Sequence, residues 1–168
     1  MKKLILFVTF GLVLSSAAMA QNVKIGYIHS QELLSLMPEM TKADKDLQAF
    51  AQPYKTQLET MAKELDTKFA AYQSGVNTMD AAMREVKEKE IKDLQARIES
   101  TQASAEQKVA AKKEELYKPI LEKADKAIKA VAVEKGYDYV LDTSLGGVLY
   151  AKDSDNILAA VKLKLGIK

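Results

Sequence analysis

The chain of 168 residues has no cysteine, no tryptophan and a single histidine. Without cysteine no disulfide can staple an exported domain, so stability has to come from packing or assembly. A lipid anchor through a leading cysteine is excluded for the same reason. His29 alone leaves little material for a metal centre, and no cofactor or metal is expected. No phosphate-binding glycine loop, nucleophile–base set or metal-ligand spacing occurs. Glu114 and Glu115 sit side by side on diverging helix positions and form no acid–base pair. The chain is not expected to be an enzyme. It also lacks the many alternating segments of ~10 residues that a barrel spanning an outer membrane would require.

A long apolar run is missing as well. Leu4 to Leu14 is apolar apart from Thr9 and Gly11, shorter than the ~20 residues a membrane-spanning helix needs. It follows Lys2-Lys3 and precedes Ala18-Met19-Ala20. That is the pattern of a cleavable export leader over residues 1–20, cut after Ala20. Removing Lys2 and Lys3 from the 25 Lys and Arg leaves 23, equal to the 23 Asp and Glu. The mature chain is therefore formally neutral and has no bulk attraction for nucleic acid or anionic lipid.

What is present is mostly helical pattern. Val23, Ile25 and Tyr27 alternate with polar or small residues and read as a strand. Ser30 is expected to cap a short helix carrying Leu33, Leu34 and Met37, and His29 is read as an ordinary junction residue. Pro38 restarts the helix. From Leu47 to Val76 apolar residues recur at Phe50, Tyr54, Leu58, Met61, Leu65, Phe69 and Tyr72. The stripe repeats every eleven residues, about 3.67 per turn, which favours straight packing over a left-handed supercoil. Pro53 should kink this arm. Gly75 is placed as its left-handed end and Asn77 as the cap of a second arm, with the turn over residues 74–78. The second arm, residues 79–135, carries Met83, Val86, Ile91, Leu94, Ile98, Ala105, Val109, Leu116, Ile120, Ala124, Ile128 and Val131. Its stripe thins to Ala and Val between Thr101 and Lys113, and Pro119 should kink it. The dense mixed charge of both arms reads as a solvated face.

Gly136 closes the second arm. Residues 137–142 and 148–151 read as two further strands, and Asp153 or Ser154 as the cap of a last helix ended by Gly166. The division is a leader at 1–20, a β-rich base from 21–38 and 136–168, and an arm from 39–135. The fold class is α+β, a long antiparallel helical hairpin on a small β base. Three short strands and two short helices bury too little apolar surface to be secure alone. An obligate oligomer with strands shared between chains follows, joined through Val23, Ile25, Tyr27, Tyr139, Leu141, Val148 and Tyr150.

The order of an export leader, Val23-Lys24-Ile25-Gly26-Tyr27-Ile28, Leu33-Leu34 with Pro38, a charged hairpin, Gly136-Tyr137-Asp138-Tyr139-Val140-Leu141-Asp142 and Val148-Leu149-Tyr150-Ala151 resembles the Skp/OmpH family of periplasmic chaperones over essentially the whole mature chain. The resemblance implies a periplasmic homotrimer whose strands form a central barrel. Its hairpins enclose a cavity that holds unfolded outer-membrane proteins without ATP. One departure stands out: Phe69 to Met79 contains no carboxylate, lysine or arginine. That argues against anionic lipid at the tip and for apolar contact there, through Phe69, Tyr72, Val76, Met79 and Met83. Met repacks against many shapes, which suits a surface with varied clients, while the same residues also close the end of the arm seam. The competing reading is a structural spacer or tether of the cell envelope, with a filled seam and no client.

Overall fold

The structure is a computed structural model that describes residues 23–167. The expected leader lies outside the described residues. Two strands, β1 (Ile25–Ile28) and β2 (Tyr139–Asp142), pair in parallel with Ile25 opposite Tyr139 and Tyr27 opposite Leu141. A parallel pair needs a crossover, and here the crossover is the whole helical hairpin. Helix α1 (Ser30–Leu36) leads into α2 (Pro38–Gly75), and α3 (Ala81–Lys135) returns to β2. A 3₁₀ turn at Asp153–Asp155 precedes α4 (Leu158–Leu165). The 38 residues of α2 rise about 57 Å. The hairpin on a small strand pair is the architecture expected from the sequence.

Pro38 stands in the first turn of α2, where its missing N–H costs nothing. Pro53 and Pro119 lie inside unbroken helices. Each removes the i→i−4 donor for one carbonyl, that of Ala49 or of Glu115, without ending the helix. Gly136 closes α3 at φ 67°, with its own N–H on Val133 O at 3.1 Å and the Tyr137 N–H on Ala132 O at 2.9 Å. This paired closure needs the left-handed residue that glycine supplies.

Five expectations are corrected. The cap of α1 is His29, whose Nδ1 accepts the Glu32 N–H at 3.1 Å. Ser30 is instead the first residue of the helix, and its Oγ is turned to Asp142, to which it donates at 2.5 Å. The cap of α3 is Asp80, whose Oδ1 accepts the Met83 N–H at 2.7 Å, and the turn therefore spans 76–80 rather than 74–78. Gly75 is the last residue of α2, without positive φ, and Val76 continues right-handed at φ −54°. A Cβ there would stand 2.6 Å from the methyl of Met79, so the end of that flexible side chain would have to move aside. Residues 148–151 form no ladder. The outer edge of β1 is taken by Asn156 instead, through a bridge to Tyr27 and the Ile157 N–H on Tyr27 O at 3.0 Å. That turn also carries Asn156 Oδ1 to the Leu158 N–H, so neither Asp153 nor Ser154 caps the last helix.

The core sits where these elements meet. Ile28, Leu33, Met37, Ile157 and Val161 are buried against Ala43 of α2 and Ile120, Ala124, Ala127 and Val131 of α3. Small residues on α2 and α3 let the helix roots approach closely, so the arms are anchored in the same core that holds the strands. Lys24 ties the far side: its backbone exchanges hydrogen bonds with Asp138, and its Nζ reaches Lys135 O at 2.6 Å.

Candidate functional site

Because α2 and α3 are antiparallel, their cross-arm bonds mark successive levels. At the root, Lys123 pairs with Glu39 and the Tyr117 hydroxyl donates to Asp44. The lysine bond holds the Glu39 carboxyl below its ordinary range, and the Asp44 bond raises the Tyr117 hydroxyl. Towards the tip, Lys68 meets Glu90 at 3.1 Å, and Lys87 reaches the same carboxylate at 3.3 Å from its own helix. These bonds, Lys68 foremost, lower the Glu90 pKa. The Tyr72 hydroxyl donates to Glu88 at 2.5 Å, and that bond raises its pKa.

Between these clasps the arms are held apolar against apolar, and thinly. Along α2 Leu47, Phe50, Tyr54, Leu58, Met61, Leu65 and Tyr72 are each partly buried and none fully, and Val76, just beyond the end of the helix, is the same. On the arm part of α3 only Ile91, Leu94 and Ala105 are buried. Lysines lie over the aromatic faces: Lys108 is 5.6 Å from the Tyr54 ring and Lys112 is 6.0 Å from the Phe50 ring. Such contacts keep a charged head in water while its stem covers carbon.

At the tip, Phe69 is 49% exposed and Met83 48%. Val76 and Met79 are half-buried, the latter lying on Gly75. The turn is fixed by polar bonds: Met79 N–H to Gly75 O at 3.1 Å, and the Arg84 guanidinium to Met79 O at 3.2 Å. Tyr72 is tied by its hydroxyl to the opposite arm, so only its ring is left for contact. Val86, also exposed, belongs to the stripe expected on the second arm but was not among the residues assigned to tip contact.

At the base, the parallel register puts Ile25, Tyr27, Tyr139 and Leu141 on one face of the strand pair. Ile28 and Val140 turn to the core. The first face is open: Ile25 and Leu141 are exposed and Tyr139 is 62% exposed. Val23 is exposed beside it, Val148 is half-buried, and Tyr150 is 85% exposed. Leu145 and Leu149 add further uncovered carbon that was not among the residues expected to join the base. The loop carrying them is latched at its start. Asp142 accepts from the Ser30 hydroxyl, from the Ser30 N–H at 3.2 Å and from the Ser144 N–H at 2.9 Å. Burial raises its pKa, but these bonds outweigh burial and bring it down to about 2.

Among the described residues no group of three or more His, Asp and Glu could hold a metal ion. No described helix is long and apolar enough to cross a membrane. The arrangement offers apolar contact along an open seam and an uncovered sheet face.

Residues 24–165 match the family described as outer membrane protein (OmpH-like). The chain is 32% identical over 161 residues to the chaperone protein Skp of Yersinia enterocolitica, covering 96% of this chain and 97% of that one. It is 30% identical over 162 residues to Skp of Photorhabdus luminescens, with the same coverage of 96% and 97%. A solved OmpH-like protein of Caulobacter crescentus superposes with a TM-score of 0.64 at 17% identity, covering 87% of this chain and 86% of that one. That superposition speaks for the fold.

Proposed function

The chain belongs to the OmpH-like family, and from that premise we propose that it is an ATP-independent holdase chaperone of the periplasm. It binds unfolded outer-membrane proteins and keeps them from aggregating on the way to the outer membrane. The relatives named above are chaperones. The observation that carries the reading is the seam: a long apolar stripe on α2 of which no residue is fully buried. A spacer or tether gains stiffness from a filled seam and loses solubility from an open one. An open seam suits contact with a chain that has no fixed shape. An unfolded barrel strand exposes alternating apolar residues and unpaired backbone groups, which aggregate in water. Many weak contacts on a mixed-charge arm can hold such a chain without selecting one geometry. Phe69, Tyr72, Val76, Met79 and Met83 supply the distal part of that surface.

The working unit in this reading is a homotrimer. The open face of the strand pair and the unpaired segment 148–151 support it, since a parallel pair is ordinarily covered on both sides. Residues 21–38 and 136–168 form the assembly base, 39–135 the arm, and 1–20 an export leader cut after Ala20. No nucleotide, metal or nucleic acid enters the scheme.

The test dilutes a denatured β-barrel protein from urea, with and without the mature chain, and follows light scattering. Suppression near one oligomer per client, indifferent to nucleotide, is the expected result. No suppression at any ratio would leave the envelope spacer as the better reading.

A further inference from the structure

The arms are clasped at both ends and hollow between. Root bonds at Asp44 and Glu39, and distal bonds at Lys68 and Tyr72, fix the spacing of the two helices. Between those levels α3 carries Ala105 and Ala110 at the seam, whereas α2 continues its large side chains with Leu58. Helices held at a fixed spacing cannot collapse onto alanine. An open trough of about 660 Å³ results, with Leu58, Ala105, Val109 and Ala110 in its walls. A second hollow of about 500 Å³ shares Ala110 and Lys113 and continues along α3 to Tyr117 and Leu121.

The rim narrows the choice of occupant. Lys55 and Glu59 stand on the α2 side, and Gln102, Glu106 and Lys113 on the α3 side. A rim of both signs selects no net charge, which disfavours an anionic headgroup or a nucleic acid. It does offer hydrogen-bond donors and acceptors together over an apolar floor. An extended polypeptide presents that same mixture, N–H and C=O alternating beside its side chains. The volume also lies within the range of ligand clefts, large enough for one apolar side chain of a longer segment.

We propose that this trough is a subsite for an extended, unpaired polypeptide segment. A large apolar side chain of the segment rests on the Leu58–Ala105–Val109–Ala110 floor, and the polar rim meets its backbone. The proposal rests on the holdase reading and adds to it where on the arm a client strand is gripped: within one hairpin, midway between root and tip.

The test uses the mature chain and a capped, uncharged, fluorescent peptide that alternates Phe or Leu with Gln. Ala110 is exposed on a helix that leucine favours, so Ala110→Leu fills the trough without straining the fold. Ala49→Leu, exposed on the face of α2 opposite Leu58, is the control. Anisotropy should show about a tenfold weaker peptide affinity for Ala110→Leu, the worth of one uncovered apolar side chain, and no change for Ala49→Leu. Because the chain has no cysteine, Val109→Cys can also carry a photo-reactive label. It should crosslink denatured barrel protein far more than the same label at Ala49→Cys. Equal affinities together with equal crosslinking would overturn the proposal. So would a change of oligomer mass in Ala110→Leu without peptide, which assigns the trough to a second copy. Displacement of the peptide by dodecyl maltoside but not by unlabelled peptide would overturn it too, in favour of acyl chains. If the parent chain suppresses aggregation while Ala110→Leu binds peptide normally, the trough fails and the holdase reading stands. If the parent suppresses nothing, it is the holdase reading that fails.

Discussion

The base and the arm use the same kinds of residue to opposite ends. At the base, short elements from distant parts of the chain bring Ile28, Leu33, Met37, Ile157 and Val161 almost completely out of water. In the arm beyond the helix roots, far longer helices bury only Ile91, Leu94 and Ala105. Length is thus no guide to stability here. A helix pair has one narrow seam, whereas a strand pair crossed by helix roots closes a core from several sides. The base can hold the fold while the arm keeps its carbon available. The same contrast separates what each apolar surface is for: the arm's is spread and half-covered, the base's outer sheet face is concentrated and bare.

The largest test of that contrast is a pair of truncations. Leu33→Ala removes a fully buried side chain and should cost about 2–5 kcal/mol in urea unfolding. Leu65→Ala, half-buried in the arm, should cost well under half as much, because less area is lost and no cavity is left. Equal costs would mean that the arm is as tightly packed as the base.

Next comes the open sheet face. Ile25→Lys with Leu141→Lys places charge where the protomer alone is exposed. The protomer should therefore keep its helical circular dichroism. Light scattering should nonetheless report dissociation, since a buried unpaired charge costs several kcal/mol in an assembled face. A parent protein that stays monomeric at high concentration would remove the need for any shared barrel.

The asymmetry also explains what could be read from sequence. The stripes of α2 and α3 are local repeats, so the period alone exposes them, and β1, β2 and Pro38 are equally local. Three caps were misassigned because a cap depends on what else its side chain meets. Ser30 is a good capping residue, but Asp142, far away in sequence, takes its hydroxyl. Asn77 and Asp80 are both eligible, and the turn decides between them. Ala43 and Ala127 are core residues that look no different in sequence from the exposed alanines of the same helices. The strand expected at 148–151 has the right residue pattern but finds no ladder partner among the described residues. Of the candidate site, the tip was legible as a gap in charge. The trough was not, because it arises from the spacing the clasps impose.

A smaller effect lies on the seam between the two regions. Asp142 joins β2 to the start of α1, and its folded pKa is lowered from 3.8 to about 2. A lowered carboxylate pKa stabilises the fold above the unfolded value and loses that contribution as pH falls through about 2. Asp142→Asn should therefore cost about 1 kcal/mol at neutral pH, allowing for solvent screening of an exposed group. The difference between variant and parent should shrink steadily as the solution is acidified below pH 4. A constant difference down to pH 2 would show that the side chain acts by shape rather than charge.

The smallest effect should be Tyr72→Phe, and it is the sharpest measure of how far arm and base are independent. The substitution keeps the ring and deletes the bond to Glu88. That bond raises the Tyr72 pKa, so in the parent it persists at neutral pH and is lost only as pH climbs through the raised value. Both ends of the bond face solvent, so little global stability can depend on it. Its local role is larger, because it is one of two cross-arm polar links near the tip. Amide exchange over residues 69–83 should quicken in Tyr72→Phe and should quicken likewise in the parent at strongly alkaline pH. The urea midpoint and the exchange of Ile28 and Val161 should stay where they were. The tip would then open on its own, as a low-stability unit that fluctuates without unfolding the rest. A lowered urea midpoint instead would mean that the clasp is felt in the core, and that arm and base unfold together.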